Sequence, residues 1–162
     1  KVQGASQDPQ RIVAAFDRGA VLLHFLGHGG RFVWRTGPPD LRSASDLFGL
    51  KNIESLRKSD ALPLVLSMTC SSGPFDHPAA DSIAEALVRV PDRGAIGVLA
   101  ASWRVPASER FSSLLLDALF ENGNSIGEAV MQAKRQVDDR SLAESYNLLG
   151  DPALFLISAE RL

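Results

Sequence analysis

A lone cysteine and a histidine followed by glycine are the residues of this chain with the clearest capacity for chemistry. Cys70 is the only cysteine among the 162 residues, and His28 lies in the segment Gly27-His28-Gly29-Gly30. A thiol becomes a strong nucleophile when a nearby imidazole takes its proton, and the same imidazole can later protonate a leaving amine. The pair is therefore the minimal set for nucleophilic acyl transfer, with Cys70 as nucleophile and His28 as general base.

Acyl transfer also needs donors for the oxyanion that forms on the attacked carbonyl, and these donors must be in place before the reaction. Gly29 has no side chain that would block its own N–H. The N–H of Cys70 is the natural second donor, because the nucleophile is always beside the carbonyl it attacks. We therefore expect Gly29 and Cys70 to form the oxyanion hole.

Other histidines and simpler structural roles are the alternatives. His77, which follows the cysteine in a predicted loop, is a rival general base, and His24 is expected to be a core residue of its strand. A metal site made of His24 and His28 is not expected, because residues four apart in a strand lie about 13 Å apart. Cys70 as a buried hydrophobe, and His28 as a loop residue bonded to its own turn, remain open alternatives. One cysteine excludes an internal disulfide and a multi-cysteine zinc site.

Short apolar runs predict the strands that position these residues. Three runs have the length and composition of strands buried on both faces of a parallel sheet. They are residues 21–26, 62–68 and 94–101. Ligands bind beyond the carboxyl ends of such strands. If the first two strands are neighbours, His28 and Cys70 lie close together, and Ser102-Trp103-Arg104 after the third strand shares their edge of the sheet.

Helical spacing and capping residues predict helices around these strands. The predicted helices lie at residues 9–18, within 47–56, and at 81–90, 108–121 and 126–137, the last opened by a capping box from Ser125 to Glu128. Loops are predicted at residues 29–46 and 71–80, and a final strand at residues 153–157. The alternation of strands and helices predicts one α/β domain over residues 1–162 with a mostly parallel sheet.

The composition argues against some classes of partner and against a membrane span. The chain has 17 basic and 19 acidic residues, and this net charge of -2 gives no electrostatic reason to expect nucleic acid or an anionic membrane as partner. No apolar run approaches the roughly 18 residues of a membrane span, and no signal peptide is visible. The chain begins with Lys1 rather than Met, so a fragment, a processed product or a trimmed chain is expected.

The joint pattern resembles the gingipain family of cysteine peptidases, within the caspase-like superfamily (clan CD). An apolar strand followed by His-Gly, and a second apolar strand followed by Cys, is the signature of that superfamily. The matching segments run in order across most of the chain. They are Phe25-Leu26-Gly27-His28-Gly29-Gly30 with nearby Trp34, Ser67-Met68-Thr69-Cys70-Ser71-Ser72-Gly73-Pro74-Phe75, Ala84-Glu85-Ala86-Leu87, Gly94-Ala95-Ile96-Gly97, Ala101-Ser102-Trp103, Ser125-Ile126-Gly127-Glu128-Ala129 and Asn147-Leu148-Leu149-Gly150-Asp151-Pro152-Ala153-Leu154.

The resemblance implies a caspase-like three-layer sandwich, in which a mostly parallel sheet is flanked by helices, and hydrolysis of peptide bonds through a thioester. It implies that His28 and Cys70 are the catalytic dyad, and that Gly29 is the oxyanion-hole glycine. Ser102-Trp103 would line the primary specificity pocket and pair with the substrate backbone. No cofactor is required for such catalysis. Calcium, found in some members, is implied by the resemblance only and is placed on no residue, and we assign no metal ligand.

The family also carries sequence that this chain lacks. Its members have a further half-domain before the histidine strand, with an acidic residue that orients the histidine. The chain is therefore expected to be the C-terminal part of a larger catalytic region, with an N-terminal half or a partner chain missing from this sequence. Secretion or a cell-surface location is suspected from the resemblance alone.

Specificity has two opposite predictions. A preference for Arg or Lys before the scissile bond would need a carboxylate in the pocket, and Asp76, Asp81 and Glu109 are the candidates. Arg104 instead resembles the caspase arrangement, in which an arginine receives an acidic residue. A solvated surface arginine is the third interpretation.

Three functions follow from this pattern. The leading hypothesis is a cysteine endopeptidase whose partner is a protein or peptide substrate. A processing or sortase-like transpeptidase of the same family would use the same thioester, with an amine competing against water. A noncatalytic caspase-like interaction module would retain the scaffold without the activity.

Overall fold

The structure, a computed structural model, describes residues 9–37, 46–120 and 123–156. Their helices are α1 (Pro9–Asp17), α2 (Leu50–Glu54), α3 (Ile83–Arg89), α4 (Glu109–Phe120), α5 (Ile126–Arg135) and α6 (Arg140–Ser145). Their strands are β1 (Leu22–Leu26), β2 (His28–Gly30), β3 (Val33–Arg35), β4 (Asp46–Gly49), β5 (Leu64–Met68), β6 (Gly97–Ala101) and β7 (Tyr146–Gly150). The larger sheet has the order β1-β5-β6-β7, and β2, β3 and β4 form a smaller antiparallel sheet.

The three predicted strands are parallel neighbours in the larger sheet. Leu22 of β1 pairs with Leu64 of β5, and Leu64 pairs with Gly97 of β6. Every residue of β5 and β6 is buried, as their mainly apolar sequences predict. The carboxyl ends of β1, β5 and β6 therefore meet at one edge of the sheet, which confirms the expected arrangement.

Helices cover both faces of this sheet. Successive residues of β5 point to opposite faces, because side chains alternate along a strand. Leu66 packs in a core with residues of α4 and α5, whereas Val65 packs in a second core with residues of α1, α2 and α3. These three layers are the α/β sandwich that the sequence predicts.

The predicted helices are confirmed at α1, α3, α4 and α5, and α2 lies within the segment expected to hold a short helix. The capping box of α5 is present: the Ser125 N–H donates to Glu128 Oε2 at 2.8 Å, and the Glu128 N–H donates to Ser125 Oγ at 3.3 Å. In the sequence, Asp8 before Pro9 is typical of an N-cap for α1, and this residue lies outside the described residues. The single-domain assignment over residues 1–162 stays a prediction.

Strand β1 differs from the prediction because it lies at the edge of the sheet that the described residues form. Its residues are half-buried or exposed, and His24, predicted to be a core residue, is exposed. An apolar run has the same appearance in an edge strand and a central one. Nε2 of His24 lies 3.1 Å from Oγ of Ser112 in α4, so the ring is partly buried although the residue as a whole is exposed. This partial burial lowers the pKa of the ring by desolvation.

The predicted loop at residues 29–46 is partly wrong, because the described part of it contains β2 and β3. Strands of three residues are too short to show a period of two, so they leave no pattern in the sequence. Trp34 of this sheet stacks on Phe25 of β1 in the larger sheet, with 4.8 Å between ring centroids. Within the smaller sheet, Trp34 lies 5.2 Å from the tilted ring of Phe48.

The predicted final strand at residues 153–157 is also wrong. The last strand is β7, which pairs antiparallel to β6, while residues 151–156 form no strand and residue 157 lies outside the described part. Gly150 has a φ of 135° and packs against the Gly97 backbone, so it ends β7 rather than opening a later strand. Helix α6, capped by Asp139, was not predicted.

Candidate active site

The carboxyl ends of β1 and β5 bring the histidine and cysteine segments into contact. The Cys70 thiol donates to the Gly29 carbonyl oxygen, with 3.2 Å between Sγ and O. The Gly27 N–H donates to the Met68 carbonyl at 3.3 Å. Gly29 also lies so close to Thr69 that a Cβ on this glycine would be 2.2 Å from Thr69 Oγ1. The two segments that the sequence singles out are therefore neighbours in space.

The His28 side chain is exposed at the start of β2, and the Cys70 side chain is half-buried. The backbone of His28 pairs with Arg35 across the hairpin formed by β2 and β3, which we call the histidine hairpin. The His28 imidazole is accessible to solvent. The next residue, Gly29, contacts the half-buried Cys70 thiol, so the imidazole is open to a peptide bound at this contact. The arrangement can support the proton transfers of acyl transfer.

A buried chain of hydrogen bonds fixes the histidine hairpin relative to the turn after Cys70. The Trp34 indole Nε1–H donates to Ser67 Oγ at 2.8 Å, and Ser67 Oγ lies 2.8 Å from Ser72 Oγ. All three residues are almost completely buried. Trp34 belongs to the hairpin, Ser67 to β5 and Ser72 to the turn, so the chain joins the three segments that surround the sulfur.

Replacing Ser67 with alanine is expected to lower the free energy of unfolding by about 1–3 kcal/mol, because the buried Trp34 N–H loses its acceptor. Ser72→Ala is the matched control, since it leaves the bond from Trp34 to Ser67 intact and is expected to cost less. Denaturant unfolding of both variants measures the difference. Equal losses in the two variants would contradict a central role for Ser67.

The turn after Cys70 is tied to the segment that follows β6. The Ser71 N–H donates to the Trp103 carbonyl at 3.0 Å, and the Gly73 N–H donates to the Ala101 carbonyl at 2.9 Å. Ser71 has a φ of 50°, a left-handed conformation that costs a non-glycine residue about 1–2 kcal/mol. The surrounding bonds hold Ser71 there, and Cys70 therefore precedes a fixed turn that is bonded to Trp103.

The three residues proposed to bind substrate differ in their surroundings. Trp103 is 69% exposed, and Arg104 is exposed as well. Ser102 is anchored instead: its Oγ donates to the Ser145 carbonyl at 3.1 Å and accepts from Asn147 Nδ2 at 3.2 Å. Trp103 and Arg104 therefore offer side chains to a ligand, while the Ser102 hydroxyl and Asn147 hold the segment to β7.

Two of the three candidate carboxylates are bound by arginines of the same chain. Asp76 pairs with Arg31, and this hydrogen bond holds the pKa of Asp76 below its usual value. Asp81 pairs with Arg89 at 2.7 Å. Glu109 is an exposed residue in the first turn of α4. An ion pair already occupies each aspartate, which weighs against either one as the receptor for a basic substrate residue.

His77, the rival general base, is exposed in the loop after Cys70. Its Nδ1 accepts a hydrogen bond from the Ala79 N–H at 3.1 Å. This local bond ties the ring to its own loop, while the segment carrying His28 touches Cys70 directly. The choice between His28 and His77 as general base stays a prediction.

Arg31 is a residue that the sequence reasoning missed. It lies in the turn of the histidine hairpin, and its guanidinium donates to the Pro74 carbonyl at 3.5 Å and the Ala80 carbonyl at 3.4 Å, besides pairing with Asp76. Its own carbonyl accepts from the Ile83 N–H at 2.6 Å. One arginine thus holds the loop after Cys70 against the hairpin.

In the part of the chain that the structure describes, no three His, Cys, Asp or Glu side chains cluster closely enough to hold a metal ion. Calcium stays a prediction. None of the helices described there has both the length and the apolar character that crossing a membrane requires.

Comparison with known proteins gives consistent matches. The sequence profile of peptidase family C25 matches residues 1–157. Gingipain R2 and gingipain R1 of Porphyromonas gingivalis are each 24% identical over 165 residues, which cover 91% of this chain. The chain spans only 21% and 16% of the lengths of these two relatives.

Solved structures show the same fold. The crystal structure of the Arg-specific cysteine proteinase gingipain R aligns with a TM-score of 0.76 at 20% identity, over 92% of this chain and 36% of that chain. The complex of the Porphyromonas gingivalis RgpB pro- and mature domains aligns with a TM-score of 0.75 at 20% identity, over 92% and 37%. The predicted caspase-like α/β sandwich is confirmed.

Proposed function

Because this chain belongs to peptidase family C25, we propose that it carries the nucleophile and general base of a cysteine endopeptidase. The observation that carries the proposal is the contact of 3.2 Å between Cys70 Sγ and the Gly29 carbonyl oxygen. This contact lies at the carboxyl edge of a parallel sheet, where α/β proteins bind ligands. The residue before Gly29 is the exposed His28.

In the proposed reaction, His28 takes the proton of the Cys70 thiol and the sulfur attacks the carbonyl carbon of the scissile peptide bond. The backbone N–H groups of Gly29 and Cys70 donate to the oxyanion. The C–N bond then breaks, the imidazolium gives its proton to the leaving amine, and a thioester remains. Water, deprotonated by His28, attacks the thioester and releases the acid and the free thiol.

The resting position of the thiol is consistent with this sequence of steps. The S–H group donates to the Gly29 carbonyl, and a thiolate could not make that bond. Ionisation of the sulfur therefore releases it from the carbonyl and frees it to turn toward a substrate.

Exposed aromatic side chains support a peptide as the substrate. Phe32 of the histidine hairpin, Phe75 of the loop after Cys70 and Trp103 all present large apolar surfaces to solvent. Each lies on a segment that touches or neighbours Cys70. Large exposed apolar side chains around a reactive group are typical of a binding surface. We propose that they contact side chains of a protein or peptide substrate.

We also propose that a further part of a larger catalytic region pairs with β1. Parallel sheets are normally covered on their faces and protected at their edges. At the β1 edge, Val21 is 56% exposed and Leu26 is 37% exposed. The chain spans 36% of the solved gingipain R chain, so a longer protein of this kind has segments that could supply the pairing strand. Secretion or a cell-surface location stays a prediction.

Covalent labelling tests the proposed nucleophile. A peptidyl acyloxymethyl ketone is expected to form one adduct on Cys70, mapped by peptide mass spectrometry, and to react with the folded protein about 10²-fold faster than with the denatured protein. Iodoacetamide, which carries no peptide, serves as the control reagent for simple thiol access. Equal rates of the peptidyl reagent with folded and denatured protein would reject the assignment.

A further inference from the structure

The side chain of Arg31 binds the loop after Cys70 at three points. We call residues 74–80 of this loop the Phe75 loop. The guanidinium donates to the Pro74 carbonyl at 3.5 Å, to the Ala80 carbonyl at 3.4 Å and to the Asp76 carboxylate. The two carbonyls stand at the ends of the loop, and the carboxylate stands between them. A guanidinium has five N–H donors in a rigid fork, so a single arginine can hold all three acceptors.

Phe75 lies between two of these acceptors. Pro74 and Asp76 are its neighbours in the chain, so the bonds to Arg31 restrain the loop on both sides of the phenylalanine. The Phe75 side chain is nevertheless 60% exposed. The loop is therefore held from the side of the hairpin while the ring faces solvent. A ring on a restrained loop has little more than its two side-chain torsions to lose when it contacts a ligand.

The position of Cys70 has other supports than the Arg31 side chain. The Ser71 and Gly73 N–H groups donate to carbonyls at the end of β6 and just after it. The Ser72 carbonyl accepts at 3.2 Å from an N–H in the first turn of α3. These bonds fix the turn between the cysteine and the Phe75 loop. The Arg31 side chain therefore acts on the loop rather than on the nucleophile.

The Phe75 loop borders the site where a peptide would react. Gly29, whose carbonyl lies 3.2 Å from Cys70 Sγ, precedes Arg31 by two residues, a span of at most about 7 Å. Phe75 follows Cys70 by five residues, a span of at most about 18 Å. An extended peptide rises about 3.3 Å per residue, so Phe75 lies within about five substrate residues of the scissile bond.

The charges beside Phe75 favour an apolar ligand. Arg31 and Asp76 form an ion pair, so their opposite charges largely cancel for a group that approaches the ring. The carboxylate is engaged by the arginine and does not offer a free receptor for a basic side chain. The exposed area of the ring is therefore the main feature that this loop presents to a substrate.

We propose that Arg31 is a positioning residue that holds Phe75 as the contact for an apolar side chain of the peptide substrate. The inference deepens the proposed function and rests on it. Contact with the ring removes apolar surface of the substrate side chain from water, which stabilises the complex. Arg31 makes this contact selective, because a loop that is already ordered loses less conformational entropy when it binds.

Hydrolysis of internally quenched peptides tests the proposal. In a peptide that the protein cleaves at one bond, each position on either side of that bond is set in turn to leucine or alanine, and the ratio of the two kcat/KM values is measured. Leucine is expected to be favoured about tenfold at the position that contacts Phe75. Phe75→Ala should lower this ratio to about one, and Arg31→Met to less than about threefold. The ratio cancels changes in the reactivity of Cys70, because both peptides meet the same sulfur.

Arg89→Met is the matched control. Arg89 pairs with Asp81 at 2.7 Å, just outside the Phe75 loop, so this variant removes a similar side chain and is expected to keep the ratio of the parent protein. Asp76→Ala is a second test of the Arg31 bonds at a side chain that is 70% exposed, and it is expected to lower the ratio about two- to threefold. Denaturant unfolding confirms that each variant is folded.

The possible results separate the ring, the arginine and the proposed function. An undiminished leucine preference in Phe75→Ala would overturn the role of the ring, and one in Arg31→Met would overturn the role of the arginine. An equal fall in Arg89→Met would also overturn the proposal, because the effect would then be a general loss of loop packing. Cleavage without any leucine preference would overturn this inference alone. Cleavage that persists in Cys70→Ala, or no cleavage of any peptide, would reject the proposed function and this inference with it.

Discussion

Replacing His28 with alanine is expected to lower kcat/KM for peptide hydrolysis by about 10²- to 10⁴-fold, with little change in stability. The side chain is exposed at the start of β2, and the hairpin is held through its backbone and through Trp34 rather than through the imidazole. The variant therefore loses the proton acceptor and keeps the scaffold. Steady-state hydrolysis of a fluorogenic peptide measures the activity, and denaturant unfolding measures the stability.

The other histidines are the matched controls for this experiment. His77→Ala removes the rival base, and His24→Ala removes the ring that lies 3.1 Å from Ser112 Oγ. Both variants are expected to retain kcat/KM within about twofold, because the His77 ring is bonded to the Ala79 N–H of its own loop and the His24 ring lies against Ser112 of α4. A larger loss at His77 than at His28 would transfer the role of general base to His77.

The framework of this fold is predictable from sequence because its signals are local. The central strands β5 and β6 are short runs of buried apolar residues, and α5 begins at a capping box whose two hydrogen bonds are both present. Parallel order then follows from the alternation of strands and helices. The matched profile of peptidase family C25 confirms the resemblance that the same residues suggested.

The errors have a different origin, because they concern properties that a local pattern does not contain. His24 belongs to an apolar run, and only the position of β1 in the sheet decides that the residue is exposed. Strands β2 and β3 have three residues each, and the ring contacts of Trp34 with Phe25 and Phe48 stabilise them. Strand β7 ends at Gly150, whereas the apolar run after it predicted a strand at residues 153–157.

The candidate active site also has a part that the sequence predicts and a part that it does not. Strand-end positions predicted that the segments of His28 and Cys70 would meet. The residues that hold those segments were not predicted, because their partners are distant in sequence. Trp34 and Ser67 are 33 residues apart, and Arg31 and Asp76 are 45 apart. A tryptophan or an arginine in a single sequence gives no indication of which distant group it binds.

The second large effect is expected at Gly29. Gly29→Ala should lower kcat/KM by about 10²-fold or more, because misplacing reacting groups by about 1 Å has an effect of that size. The added Cβ would lie 2.2 Å from Thr69 Oγ1 and 3.2 Å from Thr69 Cβ. Thr69 is fully buried, and its hydroxyl donates to the Cys70 carbonyl at 3.1 Å, so the residue has little room to withdraw. The collision therefore separates the histidine hairpin from the cysteine segment.

Gly30→Ala provides a control in the same strand. A Cβ on Gly30 would have no heavy atom within 4 Å, and neither glycine has a positive φ, so the backbone accepts alanine at both positions. Gly30→Ala is therefore expected to change kcat/KM by less than about twofold. Comparable losses in the two variants would mean that loss of backbone freedom, rather than the collision with Thr69, is responsible.

A second substitution decides whether the collision itself causes the loss. Thr69→Ala removes Oγ1 and Cγ2, two of the three atoms that the new methyl group would meet, and leaves only the Cβ contact of 3.2 Å. If close packing between the two segments sets the position of the histidine hairpin, the double variant Gly29→Ala/Thr69→Ala should recover at least about tenfold in kcat/KM over Gly29→Ala alone. Such recovery would have no explanation if Gly29 served only as an oxyanion donor, because alanine keeps the N–H in the single and the double variant alike. The size of the rescue therefore separates the packing role of Gly29 from its proposed role in binding the oxyanion.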